Sequence, residues 1–251
     1  MTVSGVVVTH GPSADLARCL ASLAPQVEEL LVVANTPLEL ELPSNARLIK
    51  NERPRGFSAN VNRGVADTSG EFVVIANPDT DPAPEAVRLL HDFAVERERC
   101  GIAGPQLRYL DGSWQPSRRR FPTVRGTLAR RTPLRYFAHP FERQRDHYML
   151  DERPEEPVLA DWMLAAFLLL RREMLDELGG FDERFRLYGE DIDLCYRAAK
   201  ADWERWYVPQ AVVTHRYAAE IDRKLLTRHT LWQWRGIARF VRKHPERLRA
   251  L

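Results

Sequence analysis

The sequence predicts an α/β protein with a doubly wound, mostly parallel sheet and a helical C-terminal extension. Apolar β-branched runs alternate with stretches whose apolar residues recur at helical spacing, and the connections between them are short. Apolar residues make up 44% of the 251 residues and charged residues 29%, as in ordinary globular domains. This composition excludes a chain that is disordered throughout and a fibrous or repetitive one.

The elements of the first half follow in order from their patterns. Short apolar runs of the kind that is buried in a parallel sheet predict strands at 3–9, 30–33, 46–49, 71–76 and 100–107. A capping side chain or a proline at the first turn signals a helix start. Helices are accordingly predicted to begin at Ser13, to run over 58–66, and to extend from Asp81-Pro82 to about residue 98.

The second half is less regular. An apolar stretch covers 158–170, and Gly179-Gly180 is expected to end a helix over 171–178. The remaining patterns predict a helix at 190–199, strands at 206–208 and 211–214, and an amphipathic helix at 222–243.

The net charge of +2 hides a strong asymmetry. Residues 117–145 carry nine arginines and one acid, and residues 216–251 carry ten basic residues and three acids, which leaves −13 on the rest. The chain lacks a nucleic-acid recognition motif, so a nucleic-acid binder is disfavoured. The two basic segments fit either a solvated surface or one that meets anionic lipid or a diphosphate.

The number and spacing of the cysteines and the lengths of the apolar runs indicate where in the cell the protein is located. The three cysteines lie far apart, which suits a reducing cytoplasm and disfavours a zinc or disulfide framework. The N-terminus lacks a signal pattern, and the longest apolar run has nine residues, about half of a membrane span. We expect a cytoplasmic protein, with peripheral contact to the inner face of the membrane left open.

Two acidic clusters are candidates for chemistry. Asp79 and Asp81 follow a buried strand, where carboxylates can share Mg²⁺ or Mn²⁺ with a nucleotide. The same residues also suit a turn and a helix cap. Glu190 and Asp191 open a helix, where acids complement its dipole or one of them acts as a general base towards a hydroxyl.

Two further features are ambiguous by themselves. His215 ends the last predicted strand and is either structural or a ligand of a metal or diphosphate. Residues 55–64 predict a helix N-terminus that offers N–H groups to an anion. This segment matches neither the P-loop nor the dinucleotide-binding pattern, so an ATPase of that type and a dehydrogenase are not supported.

Taken in order, several segments resemble the family 2 glycosyltransferases with the GT-A fold, particularly their rhamnosyltransferase-like branch. Among them are VSGVVVTH at 3–10, GEFVVIANPDTD at 70–81, WMLAAFLLLRREML at 162–175, GGFDERFRLYGEDIDLCYR at 179–197 and YVPQAVVTH at 207–215. The resemblance covers roughly residues 3–245. It implies a GT-A catalytic domain over 1–215, with a nucleotide-sugar half at 1–108 and an acceptor half at 109–215, followed by a basic amphipathic C-terminal helix over 216–251.

The resemblance also implies site residues. Those on the donor side are the base-lining Val8 and Thr9, the pocket residues Arg55, Phe57 and Asn60, and Asp79 near the ribose or sugar. Asp81 and His215 would hold the divalent metal, Mg²⁺ or Mn²⁺. Asp191 would be the catalytic base and Glu190 would help to place a substrate. Trp162, Ala165 and Ala166 would form the floor of the acceptor site.

Three positions depart from the family pattern. Ala34 stands where an aspartate normally helps to hold the base or ribose. Ala165-Ala166 replaces Gly-Ala, which narrows the acceptor site by a methyl group. Gly189 replaces an aromatic residue before the Glu-Asp pair, which leaves that position open to a different acceptor.

The function expected from the resemblance is inverting transfer of a hexose or deoxyhexose in cell-wall or surface polysaccharide synthesis. The donor would be dTDP- or UDP-linked, and the segment LDGSWQPSRRRFPT at 110–123 favours rhamnose. The acceptor would be a glycan or a polyprenyl-diphosphate-linked hydroxyl.

The alternative function, supported by Ala34, is a catalytically weak binding or partner subunit. A nucleotidyltransferase is disfavoured because Gly5 and Gly11 are isolated and form no Gly-rich loop.

Overall fold

A computed structural model of the chain describes residues 2–122, 149, 152–216 and 228–248. Most of the basic segment 117–145 and the start of the predicted C-terminal helix lie outside the described residues. No helix in the described part of the chain is both long and apolar enough to traverse a bilayer.

The described residues contain twelve strands. Ten form one mixed sheet and two form a separate ribbon. Their bounds are β1 (Val3–Thr9), β2 (Glu29–Ala34), β3 (Ala46–Lys50), β4 (Phe72–Ala76), β5 (Thr80–Pro82), β6 (Cys100–Arg108), β7 (Trp114–Gln115), β8 (Arg118–Arg119), β9 (Val158–Leu159), β10 (Trp162–Met163), β11 (Phe167–Arg171) and β12 (Glu204–His215).

The main sheet has the order β3-β2-β1-β4-β11-β6-β12-β5, with β7 beside β6 and β9 beside β12. The pairs β1–β2, β1–β4, β2–β3 and β6–β12 are parallel, which confirms the predicted mostly parallel sheet. The two strands predicted over 206–214 are one strand, β12, with an irregularity between Val208 and Val212.

Six α-helices of the described residues pack on the sheet or extend from it. They are α1 (Ala14–Leu23), α2 (Phe57–Ala66), α3 (Ala86–Val95), α4 (Arg172–Leu178), α5 (Glu190–Lys200) and α6 (Arg228–Lys243). Ser13 caps α1 as predicted, because its side chain accepts a hydrogen bond from the Leu16 amide. Gly179 and Gly180 end α4 with positive φ angles of 70° and 68°, which glycine adopts without steric cost.

The expected helix start at Asp81-Pro82 is wrong. Both residues belong to β5, which pairs antiparallel with β12, and α3 begins only at Ala86. The Asp81 segment forms a strand because it pairs with residues 213–215 at the end of β12. Pro82 is tolerated there because β5 lies at the edge of the sheet.

Two hydrophobic clusters fill the two faces of the sheet. The first contains the apolar residues of α1 and α3, and the second contains those of α2, α4 and α5. The sheet is therefore covered by helices on both faces, as expected for a doubly wound fold. The clusters also hold Cys19, Cys100 and Cys195 as buried thiols.

The topology brings distant segments to one edge of the sheet. The carboxyl ends of β1, β2, β4, β6 and β12 share this edge, because these strands all run in the same direction. The strand β11 runs against them, between β4 and β6. The start of β11 therefore lies at the same edge, next to the residues that follow β4.

Leu169, in β11, gives a direct test of this central position. It is 1% exposed, so Leu169→Ala should lower the free energy of unfolding by about 2–5 kcal/mol in urea titrations. Leu159, in β9, is 52% exposed, and Leu159→Ala should change it by no more than about 0.5 kcal/mol. Equal losses in the two variants would contradict the central place of β11.

Candidate active site

Asp79 and His215 meet at the carboxyl edge of the sheet. Oδ2 of Asp79 lies 3.5 Å from Nε2 of His215. Nδ1 of the same ring donates to Oε1 of the buried Gln115 at 3.0 Å, which aims Nε2 at the carboxylate. Burial raises the pKa of Asp79, but the adjacent His215 ring more than offsets this and holds that pKa below its ordinary value. Asp79 is therefore ionised at neutral pH.

Asp81 lies on another face of the same strand pair. In the pairing of β5 with β12, Thr80 is opposite His215 and Asp81 is opposite Thr214. Successive residues of a strand point to opposite faces of the sheet, so Asp81 and His215 diverge. The structure brings His215 to Asp79 instead, and the role of Asp81 as a metal ligand stays a prediction.

The chemistry of the side chains at this edge can be compared with the needs of a divalent metal. Within the described ranges, no three His, Cys, Asp or Glu side chains lie together as a ready-made metal site. Mg²⁺ and Mn²⁺ commonly take one or two protein ligands and complete the shell with phosphate oxygens and water. Asp79 and His215, as a carboxylate and an imidazole 3.5 Å apart, fit two ligands of one ion. They suit a metal that is held jointly with a diphosphate.

Glu190 and Asp191 form a buried acidic pair at the start of α5. Glu190 is 7% exposed, and the described residues supply no hydrogen-bond partner for its Oε2 atom. Burial and the charge of Asp191 raise the pKa of Glu190 to about 8. Burial also raises the pKa of Asp191, although hydrogen bonds from the Ile192 and Ala165 backbone and the charge of Arg119 act in the opposite direction. A carboxylate with a raised pKa is suited to accept a proton.

The dipeptide Ala165-Ala166 connects the two acidic groups. The Ala166 carbonyl accepts a hydrogen bond of 2.8 Å from the amide of Asn77, two residues before Asp79. The Ala165 backbone hydrogen-bonds to the Asp191 carboxylate. Both alanines are less than a tenth exposed. Two adjacent residues therefore fix the segment that carries Asp79 relative to Asp191.

Trp162 supports the side of the site next to Asp191. It pairs with Arg119 in the small ribbon of β10 and β8, and the Arg119 guanidinium lies 5.1 Å over its ring. The indole is 4% exposed and its Nε1 donates to the Arg120 carbonyl at 2.8 Å. Trp162 thus holds the strand that carries Arg119, and its contact with an acceptor stays a prediction.

An amide network fixes the loop before α2. Oδ1 of Asn35 accepts hydrogen bonds from the Arg55 amide at 2.9 Å and from the side-chain amides of Asn51 (2.9 Å) and Asn60 (3.0 Å). Nδ2 of Asn35 donates to the Arg55 carbonyl at 3.0 Å. Asn60 is fully buried, so its side chain supports the loop from beneath. The Arg55 side chain is exposed above this network and remains the candidate donor contact.

The N-terminus of α2 is covered by protein. The Phe57 amide donates to the Arg186 carbonyl at 2.9 Å, and the Ser58 hydroxyl donates to the Phe185 carbonyl at 2.8 Å. The sequence of residues 55–64 predicts a helix N-terminus that offers its first N–H groups to an anion. At Phe57 this expectation is wrong, because the loop before α5 already accepts that hydrogen bond.

Val8 and Thr9 end β1 at the same edge, and both are buried. The Thr9 hydroxyl donates to the Gly11 carbonyl at 2.8 Å and so stabilises the turn after the strand. Ala34 is fully buried in the first hydrophobic cluster and brings no polar group to this point. The roles of Val8 and Thr9 towards a nucleotide base stay predictions.

Sequence reasoning missed Gln115 and Arg119 as parts of the site. Gln115 is separated from its partner His215 by 100 residues along the chain. Arg119 is one of three successive arginines, and only the pairing of β8 with β10 distinguishes it from its neighbours. Neither residue stands in a local motif, so only the register of the strands identifies them.

The doubly wound sheet, with acidic residues after β4 and at a helix start on one edge, has the architecture of the GT-A glycosyltransferase fold. The family model described as "Glycosyltransferase like family 2" matches residues 24–234. The chain belongs to that family.

Named relatives agree with this assignment. The N-acetylglucosaminyl-diphospho-decaprenol L-rhamnosyltransferase of Mycobacterium tuberculosis is 32% identical over 98% of this chain and 90% of its own length. Rhamnosyltransferase WbbL of Escherichia coli K12 is 31% identical over 83 residues, which cover 33% of this chain and 31% of that protein. The rhamnosyltransferase-like character of the sequence is thereby confirmed.

A solved structure supports the fold. The crystal structure of GalNAc-T7 with UDP, GalNAc and Mn²⁺ superimposes with a TM-score of 0.67 and 17% sequence identity. The match covers 96% of this chain and 48% of that one. At this level of identity the likeness supports the GT-A fold alone.

The buried Glu190 predicts a pH-dependent stability. The folded state keeps this carboxyl protonated up to about pH 8, whereas the unfolded chain loses the proton near its ordinary pKa, so rising pH destabilises the fold. Glu190→Gln removes this penalty. The difference in free energy of unfolding between Glu190→Gln and wild type should therefore become more favourable to the variant as the pH rises from 5 to 8. The expected change is at least about 1.4 kcal/mol, which corresponds to a pKa shift of one unit.

Urea titrations of both proteins at the two pH values measure this change. Any effect of the glutamine amide on stability that does not depend on pH is the same at both values and therefore cancels. Glu173→Gln, on the exposed part of α4, is the matched control and should show no such change. A pH-independent difference for Glu190→Gln would mean that Glu190 is ionised in the folded protein.

Proposed function

We propose that this glycosyltransferase is an inverting enzyme that moves a sugar, rhamnose in the first instance, from a nucleotide diphosphate to an acceptor hydroxyl. The observation that carries the proposal is the link through Ala165-Ala166. It fixes the segment of Asp79, the candidate diphosphate side, relative to Asp191, the candidate base. A donor bound at this edge would have its diphosphate next to Asp79, and an acceptor hydroxyl would lie next to Asp191.

The reaction is a single in-line displacement at the anomeric carbon. The acceptor hydroxyl gives its proton to the Asp191 carboxylate as its oxygen bonds to that carbon. The bond from the same carbon to the diphosphate oxygen breaks, and the nucleoside diphosphate leaves with the electron pair. General-base assistance of this kind typically contributes about 10²–10⁴ in rate. Glu190, beside Asp191, would stay protonated and help to place the substrates.

Asp79 and His215 would hold a divalent metal together with the diphosphate, and Asp81 is the further predicted ligand. When bound, Mg²⁺ or Mn²⁺ would neutralise the negative charge of the leaving diphosphate. Arg55 is exposed at the same edge and would add a cationic contact to the donor. Val8, Thr9 and Phe57 are the remaining donor-side residues in this proposal, and Asn60 supports the loop of Arg55.

The substrates in this proposal are a dTDP- or UDP-linked sugar and a glycan or polyprenyl-diphosphate-linked acceptor. The name of the mycobacterial relative supports rhamnose and a lipid-diphosphate-linked acceptor, as does its coverage of nearly the whole chain. Trp162, Ala165 and Ala166 would form the floor beneath the acceptor. Polysaccharide synthesis on the cytoplasmic side of the membrane is the corresponding process.

Replacing the proposed base tests the mechanism. Asp191→Asn removes the proton acceptor and keeps the shape, so transfer should fall by about 10²–10⁴. The affinity for the nucleotide sugar should change less than twofold, because Asp191 does not contact the diphosphate in this scheme. Turnover is measured with dTDP- and UDP-linked sugars in turn, with Mg²⁺ or Mn²⁺ and N-acetylglucosaminyl-diphospho-polyprenol as acceptor.

Asp176→Asn is the matched control, since Asp176 is an exposed carboxylate on the neighbouring helix α4. It should retain wild-type turnover. Near-wild-type turnover of Asp191→Asn would refute the assignment of the base. A wild-type chain that binds these donors but neither transfers nor hydrolyses them would favour the alternative of a binding subunit.

We also propose that α6 brings the enzyme to an anionic membrane surface. Arg235, Arg239 and Arg242 are exposed at helical spacing, and Leu231, on the same side, is 51% exposed. Cationic side chains with a neighbouring large apolar one suit contact with lipid headgroups. Each such cation contributes about 1 kcal/mol near an anionic surface.

Vesicle flotation tests this contact. The protein should bind phosphatidylglycerol vesicles but not phosphatidylcholine vesicles, and salt should release it. Changing the three arginines of α6 to Gln should weaken binding on the order of 100-fold. The control changes Arg18, Arg47 and Arg88 to Gln, which removes the same charge elsewhere on the surface. Absence of salt-sensitive binding, or equal loss in both variants, would refute the proposal.

A further inference from the structure

The backbone of the C-terminal helix α6 comes close to the rest of the protein at Gly236. A Cβ atom built on Gly236 would lie far inside van der Waals contact with the carbonyl oxygen of Tyr188. That oxygen belongs to the backbone, so it cannot move aside as the end of a flexible side chain can. The backbone of α6 therefore rests directly on the turn formed by Tyr188 and Gly189.

This turn sets the direction of the helix that carries the candidate base. Tyr188 has φ = 70° and Gly189 has φ = 93°, and the Gly189 carbonyl accepts the first helical hydrogen bond from the Asp193 amide at 2.9 Å. A left-handed conformation is unfavourable for tyrosine and persists where its surroundings enforce it. The turn immediately precedes Glu190 and Asp191, so a shift at Tyr188 moves both carboxyl groups.

A second contact ties the end of α6 to the same helix. Asp193, two residues beyond Asp191, is completely buried. Its carboxylate lies 2.8 Å from Nε of Arg197, 2.8 Å from Nζ of Lys243 and 2.9 Å from Nε2 of His244. Two of these three partners come from the end of α6 and the residue after it. Asp193 therefore binds the first turn of α5 to the C-terminal segment.

The other end of the loop before α5 is bound to the same cluster. Arg197 donates to the carbonyls of Leu178 (2.9 Å) and Gly180 (2.8 Å), where the loop begins. Lys243 also donates to Asp182 at 2.7 Å. The loop is thus held at its start by Arg197 and Lys243, and at its end by Gly236.

From these contacts we propose that α6 is a positioning element of the active site, which holds the Glu190–Asp191 pair in place through Gly236 and the buried Asp193. The inference rests on the proposed role of Asp191 as the base. Gly236, Asp193 and Lys243 are positioning residues in this account and contact no substrate. Gly236 acts through the backbone of Tyr188 and Gly189, and Asp193 and Lys243 act through the first turn of α5.

A pair of opposite substitutions separates positioning from helix stability. Alanine is the better helix former, so Gly236→Ala favours α6 as an isolated helix but places a methyl group against Tyr188. Ala238→Gly, at an exposed position of the same helix, weakens the helix and leaves the contact intact. We expect kcat to fall at least tenfold in Gly236→Ala and to stay within twofold of wild type in Ala238→Gly, with donor Kd unchanged in both.

Hydrogen exchange gives a readout that does not depend on activity. Amides in peptides covering 186–194 should exchange faster in Gly236→Ala and at the wild-type rate in Ala238→Gly. Lys243→Met should accelerate the exchange of the same amides and lower kcat. Lys243→Arg keeps the positive charge, so its exchange rates and its kcat should stay close to those of wild type. The two Lys243 variants test the proposal even if Gly236→Ala does not fold.

The outcomes distinguish the two proposals. Unchanged kcat and unchanged exchange in both Gly236→Ala and Lys243→Met would overturn the positioning role of α6. A loss of donor binding in parallel with kcat would also overturn it, because it would indicate general damage to the fold. A wild-type chain without transfer would reject the proposed function, and the exchange rates would still decide whether α6 positions the pair.

Discussion

The antiparallel strand β11 determines where the polar residues of this protein meet. It lies between β4 and β6, so it begins at the edge where the parallel strands end. Its approach through Ala165 and Ala166 supplies backbone hydrogen bonds to Asn77 on one side and to Asp191 on the other. A parallel strand in that place would begin at the opposite edge. The acidic segments, more than 100 residues apart in the chain, would then lose their common anchor.

Burial raises the pKa of both acidic groups of the site, but only at Asp79 is it offset by a neighbouring side chain. Asp79 lies beside the His215 ring, which holds its pKa below the ordinary value despite burial. At Glu190, burial and the charge of the neighbouring Asp191 act together and raise the pKa to about 8. Asp79 is therefore suited to stay ionised next to a metal and a diphosphate. The Glu190–Asp191 pair is suited to take up a proton. The difference arises from the environment, since both groups are carboxyls.

Local patterns predicted most of the fold and the acidic members of the site. Runs such as that of β4 and the cap at Ser13 carry their signal within a few residues. The local pattern of Asp81-Pro82 predicts a helix start, which is wrong because the strand that pairs with it is more than 130 residues away in the chain. Gln115 and Gly236 acquire their roles only from tertiary contacts, with His215 and Tyr188 respectively. Such long-range contacts leave no periodic trace in a single sequence.

The stereochemistry of the product tests the central claim most directly, since that claim is a single displacement with Asp191 as the base. The wild-type protein would be incubated with a nucleotide sugar of known anomeric configuration and N-acetylglucosaminyl-diphospho-polyprenol. Proton NMR of the first product formed would then give the configuration at the new linkage. A single displacement predicts inversion at the anomeric carbon. Retention of configuration would require a different chemistry at this site and would contradict it.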